Sequence, residues 1–292
     1  MTDSLAHWLQ LREAADWAAR SVDLTQAVAA ALPVDGAVHV LDLGTGTGAN
    51  VRYLIDHLPR RQRWLVVDRS PDLLALVTDR TTAWAAARGH HVNTHATGLG
   101  VRHELLDCEI DTLQRDLHTL DDTAMFLGRH LVTASALLDL VSEQWLQTLA
   151  ARCLAVGAAA LFSLTYNGQS SCSPVEPEDD LVRDLLNRHQ KTDKGLGGPA
   201  AGPDAAACAE RCFTAIGYAV RMEDTDWDLG PAQHEMQRDL VAGWSRAASA
   251  LAPDWVPAIA SWRARRMGHI DAGRSRIVVG HHDLAAWPAR QS

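Results

Sequence analysis

The sequence predicts a doubly wound α/β domain, on three observations. An apolar, β-branched run, AVHVLDL, breaks at a turn with glycines at alternate positions, Gly44, Gly46 and Gly48, and resumes as the helical pattern Val51, Leu54, Ile55, Leu58. A second apolar run, RWLVVDRS, closes on Asp68, twenty residues after Gly48, and leads into Ser70-Pro71, an N-cap and N1 pair for a further helix. Strand and helix then keep alternating, which is the order that builds a parallel sheet covered on both faces.

The elements follow in chain order. Residues 4 to 31 carry Trp8, Leu11, Ala15, Ala18 and Val22 at helical spacing, and Pro33 and Gly36 end that segment. Residues 1–35 therefore read as an N-terminal helical lid, and 36–292 as the main domain. After the first two strands, VRHELLDC (101–108) is the best third-strand candidate and HLVTASALLD (130–139) the fourth. A helix from about Ser142 to Leu154 precedes AAALFSLTYNG, whose unbroken apolar character suits a strand buried on both faces. Cap insertions are expected at about 169–205, where Ser, Pro, Glu, Asp and Gly accumulate, and at about 232–270, where two helices carry tryptophans. A helix at 203–216, a strand at 218–228 and a last strand, SRIVVGHHDL, bring the sheet to seven mostly parallel strands.

Composition narrows the function. With 47% hydrophobic and 22% charged residues among 292, a core can form without disulfides or metals. The net charge of −9, with no clustered Lys/Arg, disfavours nucleic acid as a partner. Five cysteines, Cys108, Cys153, Cys172, Cys208 and Cys212, form no CxxC pair and suggest neither a disulfide framework nor a zinc site, so a reducing cytoplasm is expected and no metal. No stretch approaches eighteen uncharged apolar residues and the N-terminus lacks a signal-like h-region, so neither a membrane span nor export is expected.

The glycine turn carries the chemistry. Alternating glycines turn the backbone tightly and leave no side chain between it and a ligand lying across the strand tip, while Asp68 can accept both ribose hydroxyls of a nucleoside. Gly44, Gly46 and Ala49 also satisfy the GxGxxA form of dinucleotide sites, which keeps an NAD(P)-dependent oxidoreductase open. In Asp42-Leu43-Gly44-Thr45-Gly46-Thr47-Gly48 with Asp68, the sequence resembles the class I S-adenosylmethionine-dependent methyltransferases over about residues 36 to 168. That resemblance implies a Rossmann-like fold, S-adenosyl-L-methionine as cofactor, S-adenosyl-L-homocysteine as product and a small-molecule methyl acceptor. It places Gly44, Thr45, Gly46 and Gly48 beside the amino-acid part of the cofactor, Asp68 and Arg69 at the ribose, Asp107 near the adenine, and Ser135 and Ala136 beside the sulfonium. A third reading is a non-catalytic binder that keeps the nucleoside pocket.

Acceptor-side candidates come from strand ends and the glycine-rich loop. Asp139 either orients the acceptor and takes its proton or caps the following helix. Tyr166 either meets substrate or packs with a wet hydroxyl. His189, Lys191 and Lys194 offer a base and two cations for an anionic acceptor, or a solvated loop. Arg12 and Arg20 either reach the cofactor carboxylate as the lid closes or pair with Glu13 or Asp16. Trp227, Trp244, Trp255 and Trp262 either wall a planar substrate or fill the core. The methyl-accepting atom and the oligomeric state do not follow from the sequence.

Overall fold

The computed structural model describes residues 2–289. In chain order it contains α1 (Thr2–Ala19), α2 (Val22–Ala31), β1 (Val38–Leu43), α3 (Ala49–Ile55), β2 (Arg61–Asp68), α4 (Pro71–Ala86), β3 (His91–His95), β4 (Gly98–His103), β5 (Leu106–Gln114), β6 (Leu131–Ser135), α5 (Glu143–Val156), β7 (Ala159–Ser173), α6 (Asp179–Gln190), α7 (Ala205–Ala215), β8 (Tyr218–Asp224), β9 (Trp227–Leu229), α8 (His234–Leu251), α9 (Val256–Asp271) and β10 (Arg276–Pro288).

One sheet runs β3-β4-β5-β2-β1-β6-β7-β10-β8, with β9 also paired to β10. The β5-β2-β1-β6-β7 centre is parallel; β10 enters antiparallel between β7 and β8, and β3-β4 is an antiparallel hairpin on the far edge. The fold is thus the expected Rossmann-like one, with ten strands among the described residues where seven were predicted. The extra strands have local causes. VRHELLDC is not one strand but a hairpin, because it spans the turn between β4 and β5, with His103 opposite Leu106. The segment 218–228 splits at Thr225 and Asp226 into two strands that pair with different stretches of β10.

Serine caps set the helix starts. The hydroxyls of Ser21, Ser70 and Ser142 accept the backbone N–H of Leu24, Leu73 and Trp145, each satisfying one of the free donors of a first turn. Ser21 thereby divides the N-terminal segment into α1 and α2. One face of the sheet buries Leu41, Leu43, Val132 and Phe162 against α5 and α7; the other buries Val38, Val40, Val66 and Leu161 against α2, α3 and α4. A third core joins Leu164, Tyr166, Ile277 and Val279, beyond the sheet centre, to α6, α8 and α9, and α1 packs on it through Trp8 and Leu11. Trp244 and Trp262 fill that core, whereas Trp255 lies exposed. Trp262 also donates to Asp179 Oδ1 at 2.8 Å. These elements put the carboxyl end of β1 and its glycine turn beneath α1, on the side where open α/β sheets hold their ligands.

Candidate active site

The glycine turn links β1 to α3. Gly44 (φ +65°) and Gly46 (φ +56°) adopt the left-handed conformation, and Cβ atoms built on them would stand 3.2 Å from Leu137 Cδ1 and 3.1 Å from Leu9 Cδ1. Leu9 belongs to α1, so the N-terminal helix lies directly on the turn. It is held there from both sides: Glu13 takes a bidentate pair from the buried Arg52 at 2.9 and 2.7 Å, and Arg80 donates to Ala6 O. Gly48 (φ +81°) precedes α3, and the Thr45 hydroxyl is buried beside the Asp42 carboxylate.

Asp68 braces the turn. One carboxylate oxygen accepts the Gly46 N–H and the other the Ser70 N–H, both at 2.9 Å. Each oxygen keeps further acceptor capacity. Beside these strand ends a cleft of about 680 Å³ is lined by Arg69, Ser70, Gln114, Arg115 and Asp116. Asp107 does not belong to it. In the parallel β2–β5 pairing Asp107 lies opposite Arg61 and Gln114 opposite Asp68, so Asp107 sits at the amino end of the strand, about 20 Å from the cleft. There Arg63 and Arg102 hold its carboxyl below the usual range. The expectation placed the strand one hairpin arm too early; the carboxyl end of β5 carries Gln114 opposite Asp68, with Asp116 just beyond.

A buried polar chain runs from the turn to the α1–α2 junction. Asn50 donates to Asp42 Oδ1 at 2.6 Å and accepts from Arg20 Nη1 at 2.5 Å. The Arg20 guanidinium stacks 4.2 Å above the Tyr53 ring. Burial pushes the Asp42 carboxyl up to about 6, against the pull of the nearby Thr45 hydroxyl, of Asn50 and of Arg20. Asp42 Oδ2 and the Nε and Nη2 of Arg20 have no partner among the described residues. A free carboxylate oxygen and two free guanidinium donors, buried together, are costly unless a ligand pairs them.

At the end of β6, Ser135 leads into Ala136, whose φ of +51° is rare for a residue with a Cβ, and whose N–H is tied to Ser163 O at 2.9 Å. Leu164 on β7 is also left-handed (φ +56°), fixed by its N–H to Asp283 Oδ1 at 2.7 Å. Strained backbone on two adjacent strands, over-determined by hydrogen bonds, lies where the sheet opens toward α1.

Asp139 lies just beyond, in the short turn Leu138–Leu140, 6% exposed. Ser142 caps α5, so capping does not account for Asp139. Burial pushes its carboxyl up to about 6, while Arg12 and Lys194 pull it down. Tyr166 is buried and donates from its hydroxyl to Asn187 at 2.9 Å. The loop lysines diverge. Lys194 bonds His189 O and Thr192 and is near enough to Asp139 to feel its charge, whereas Lys191 pairs with Asp204 at 2.7 Å on the rim of a separate cavity of about 310 Å³. His189 closes α6, its ring 3.4 Å from Lys194 Nζ, and both burial and that lysine disfavour its charged form.

Arg12, expected at the cofactor carboxylate or paired with an acid of its own helix, and Trp227, offered as a substrate wall or core residue, lie together with His281, which the sequence does not single out. Arg12 gives its Nε to Asp16 and lies 4.9 Å over the Trp227 ring; Trp227 donates to Asp16 at 3.1 Å and stands 4.5 Å from the His281 ring. His281 is driven down to about 3 by burial and by Arg12, and is therefore neutral. The only sequence signal for His281 is its place on the last strand. Among the described residues no group of three His, Cys, Asp or Glu is arranged to hold a metal ion, and no helix is long and apolar enough to cross a membrane.

No family model and no curated protein matches the chain. Solved structures similar to it include a cyclopropane synthase from Mycobacterium tuberculosis (11% identity, 89% of this chain and 82% of that one, TM-score 0.43). Others are a putative methyltransferase from Bacillus halodurans (14%, 92% and 100%, 0.48) and a SAM-dependent methyltransferase from Geobacter sulfurreducens in complex with S-adenosyl-L-homocysteine (16%, 93% and 92%, 0.43). Likenesses this distant leave activity to be argued from the site itself. Its strand order, with an antiparallel last strand inserted beside β7, and its glycine turn agree with the Rossmann-like fold that the resemblance to class I S-adenosylmethionine-dependent methyltransferases implies.

Proposed function

We propose that the protein is an S-adenosylmethionine-dependent methyltransferase acting on a small molecule. One observation carries the reading: the unpartnered Arg20 donors and the unpartnered Asp42 oxygen, buried at the head of a glycine turn that ends at Asp68, offer complements to a carboxylate, an ammonium and a ribose diol in that order. An amino acid joined to a nucleoside has those three groups. The residues present therefore fit the cofactor: Arg20 for its carboxylate, Asp42 for its amine, Asp68 for the ribose, and Gln114 or Asp116 for the adenine edge, with Gly44, Thr45, Gly46 and Gly48 forming the floor.

When bound, the cofactor supplies an electrophilic methyl group on a sulfonium and leaves as the thioether S-adenosylhomocysteine. The protein's own part is alignment, exclusion of water and handling of one proton. Leu9 and the rest of α1 cover the turn, keeping water from it, which supports reading α1 as a lid; α2, the other half of residues 1–35, packs on the sheet face instead. Asp139, with its carboxyl at about 6, is mostly ionised at neutral pH yet basic enough to accept a proton from an acceptor O–H or N–H. Protonated Tyr166, close enough to feel the Asp139 charge, adds none of its own. The acidic balance of the chain disfavours nucleic-acid acceptors, and five cysteines that are all unpaired suit a reducing cytoplasm.

The test is calorimetric titration of the full chain with S-adenosylhomocysteine and, separately, with NAD⁺ and NADP⁺. Saturable binding of the first alone, weakened by Asp68→Ala, supports methyl transfer; binding of a dinucleotide alone overturns it.

A further inference from the structure

Asp283 is a buried carboxylate with no part in the chemistry above. It is 0% exposed on β10 and accepts three hydrogen bonds from three separate segments: the Ser21 N–H at 3.1 Å on Oδ2, and the Leu164 N–H at 2.7 Å and the Thr225 hydroxyl at 3.0 Å on Oδ1. A carboxylate is costly to bury even when its oxygens are satisfied, so what it grips matters. Between His282, opposite Thr165, and Leu284, opposite Phe162, the β7–β10 ladder slips by one residue; Asp283 faces both Ser163 and Leu164 and takes the N–H that the ladder leaves free. The carbonyl of that same peptide, Ser163 O, accepts the Ala136 N–H at 2.9 Å, so the peptide is fixed at both ends, to β10 and to the end of β6. The other oxygen of Asp283 fixes the Arg20–Ser21 peptide. From that anchor Arg20 reaches α3, where Nη1 donates to Asn50 at 2.5 Å and the guanidinium lies 4.2 Å over the Tyr53 ring, with Nε and Nη2 unpartnered among the described residues.

We propose that Asp283 is a positioning residue for binding of the cofactor carboxylate: by holding the Arg20–Ser21 peptide to the point of β7 that also sets the end of β6, it keeps the free donors of Arg20 in register with the glycine turn. This rests on the methyltransferase reading, in which Arg20 meets that carboxylate. Asp283 touches no ligand itself and acts through Arg20. The need for an anchor follows from the chain. Arg20 lies between α1, which ends at Ala19, and α2, which starts at Val22, so it belongs to neither helix. A forked, charge-assisted contact tolerates little displacement, and a junction free to shift would misplace the guanidinium. Gripping the junction and β7 with one carboxylate ties Arg20 to the sheet rather than to the covering helix.

The test titrates the full chain and its Asp283→Asn variant calorimetrically with S-adenosylhomocysteine and with 5′-methylthioadenosine, which keeps the nucleoside and thioether but lacks the amino-acid carboxylate. Asparagine can leave its oxygen toward Leu164 and Thr225, and then turns its NH2 toward the Ser21 N–H, where nothing accepts. The variant should weaken S-adenosylhomocysteine about tenfold, as the loss of one charge-assisted hydrogen bond does, and move methylthioadenosine by less than about twofold. Arg20→Gln should give the same split, and adding Asp283→Asn to it should cost less than about a further twofold. If Asp283→Asn does not fold, Ser21→Pro removes the same N–H from a residue whose φ of −69° already suits proline; it should show the split when measured against Ser21→Ala, which loses the same hydroxyl. Equal losses for both ligands, no loss for either, or full additivity with Arg20→Gln would overturn the proposal. With S-adenosylhomocysteine still binding the unaltered chain, those results leave the methyltransferase reading standing; if it does not bind the unaltered chain, both fall.

Discussion

Replacing Asp139 with Asn should make the protein more stable and less active at once. The carboxyl is 6% exposed and burial raises it from 3.8 to about 6. A carboxyl whose folded value is raised contributes its full stability below the unfolded value and loses it as pH climbs through the folded one. At about 1.36 kcal/mol per pH unit, the cost of ionising Asp139 in the fold grows from about 0.5 kcal/mol near pH 4 to an upper bound of about 3 kcal/mol at pH 8. Asparagine has nearly the same shape and no charge to bury. Asp139→Asn should therefore gain little over the wild type near pH 4 and about 1–3 kcal/mol at pH 8, read from urea-unfolding free energies at each pH. Asp42 also sits at about 6, but it titrates in both proteins and drops out of the difference. Once an acceptor is found, the same variant should transfer methyl about 10²–10⁴-fold more slowly and lose the acid limb of the rate profile near pH 6. A gain that does not grow with pH refutes the burial argument; an unchanged rate profile refutes the proton-accepting role.

Three further outcomes are expected. Gly46→Ala imposes a left-handed conformation on a Cβ-bearing residue and sets that Cβ 3.1 Å from Leu9 Cδ1, so differential scanning calorimetry should show a loss of about 1–2 kcal/mol and titration a weakened affinity for S-adenosylhomocysteine. Glu13→Gln removes the charge facing the buried Arg52, leaving that guanidinium its bond to Thr47 O at 2.7 Å; amide exchange in α1 should quicken by about 5–150-fold, as a loss of about 1–3 kcal/mol requires, while that in β10 stays unchanged. Asp68→Asn should weaken S-adenosylhomocysteine about 10–100-fold but leave 2′,3′-dideoxyadenosine unaffected, since only the former has ribose hydroxyls for the carboxylate to accept; equal losses for both ligands would mean that Asp68 acts only by shaping the turn.

The parallel centre of the sheet was readable because its strands are apolar runs broken by residues with few other uses. Gly44 and Gly46 have no alternative to a tight turn, and Ser70-Pro71 none to a helix start. The edge was not readable. Residues 91–103 alternate weakly and β3 is mostly exposed, so nothing in the composition marked a hairpin, and Asp107 was placed at the wrong end of its strand in consequence. On the cofactor side, local spacing was enough to bring Asp68 to the glycine turn. On the acceptor side it was not: Arg12, Asp139, Trp227 and His281 come from four separate segments, and only the packing of α1 across the cap joins them. Lys191 and Lys194, three residues apart, look equivalent in sequence, yet a single partner, Asp204, draws one of them to the outer surface.

β7 is fifteen residues long, and only its first third pairs with β6; the remainder runs on beside β10 as far as Ser173, opposite Arg276. The strand therefore acts as a cantilever, built into the sheet at one end and carrying the α6, α8 and α9 layer at the other. Swinging that layer would shear a two-stranded ladder along most of its length, whereas α1 is fastened by side chains alone. Compliance is thus concentrated at the N-terminal helix. Ligands should enter and leave by its lifting, and turnover should follow the frequency of that motion more closely than any flexing of the cap.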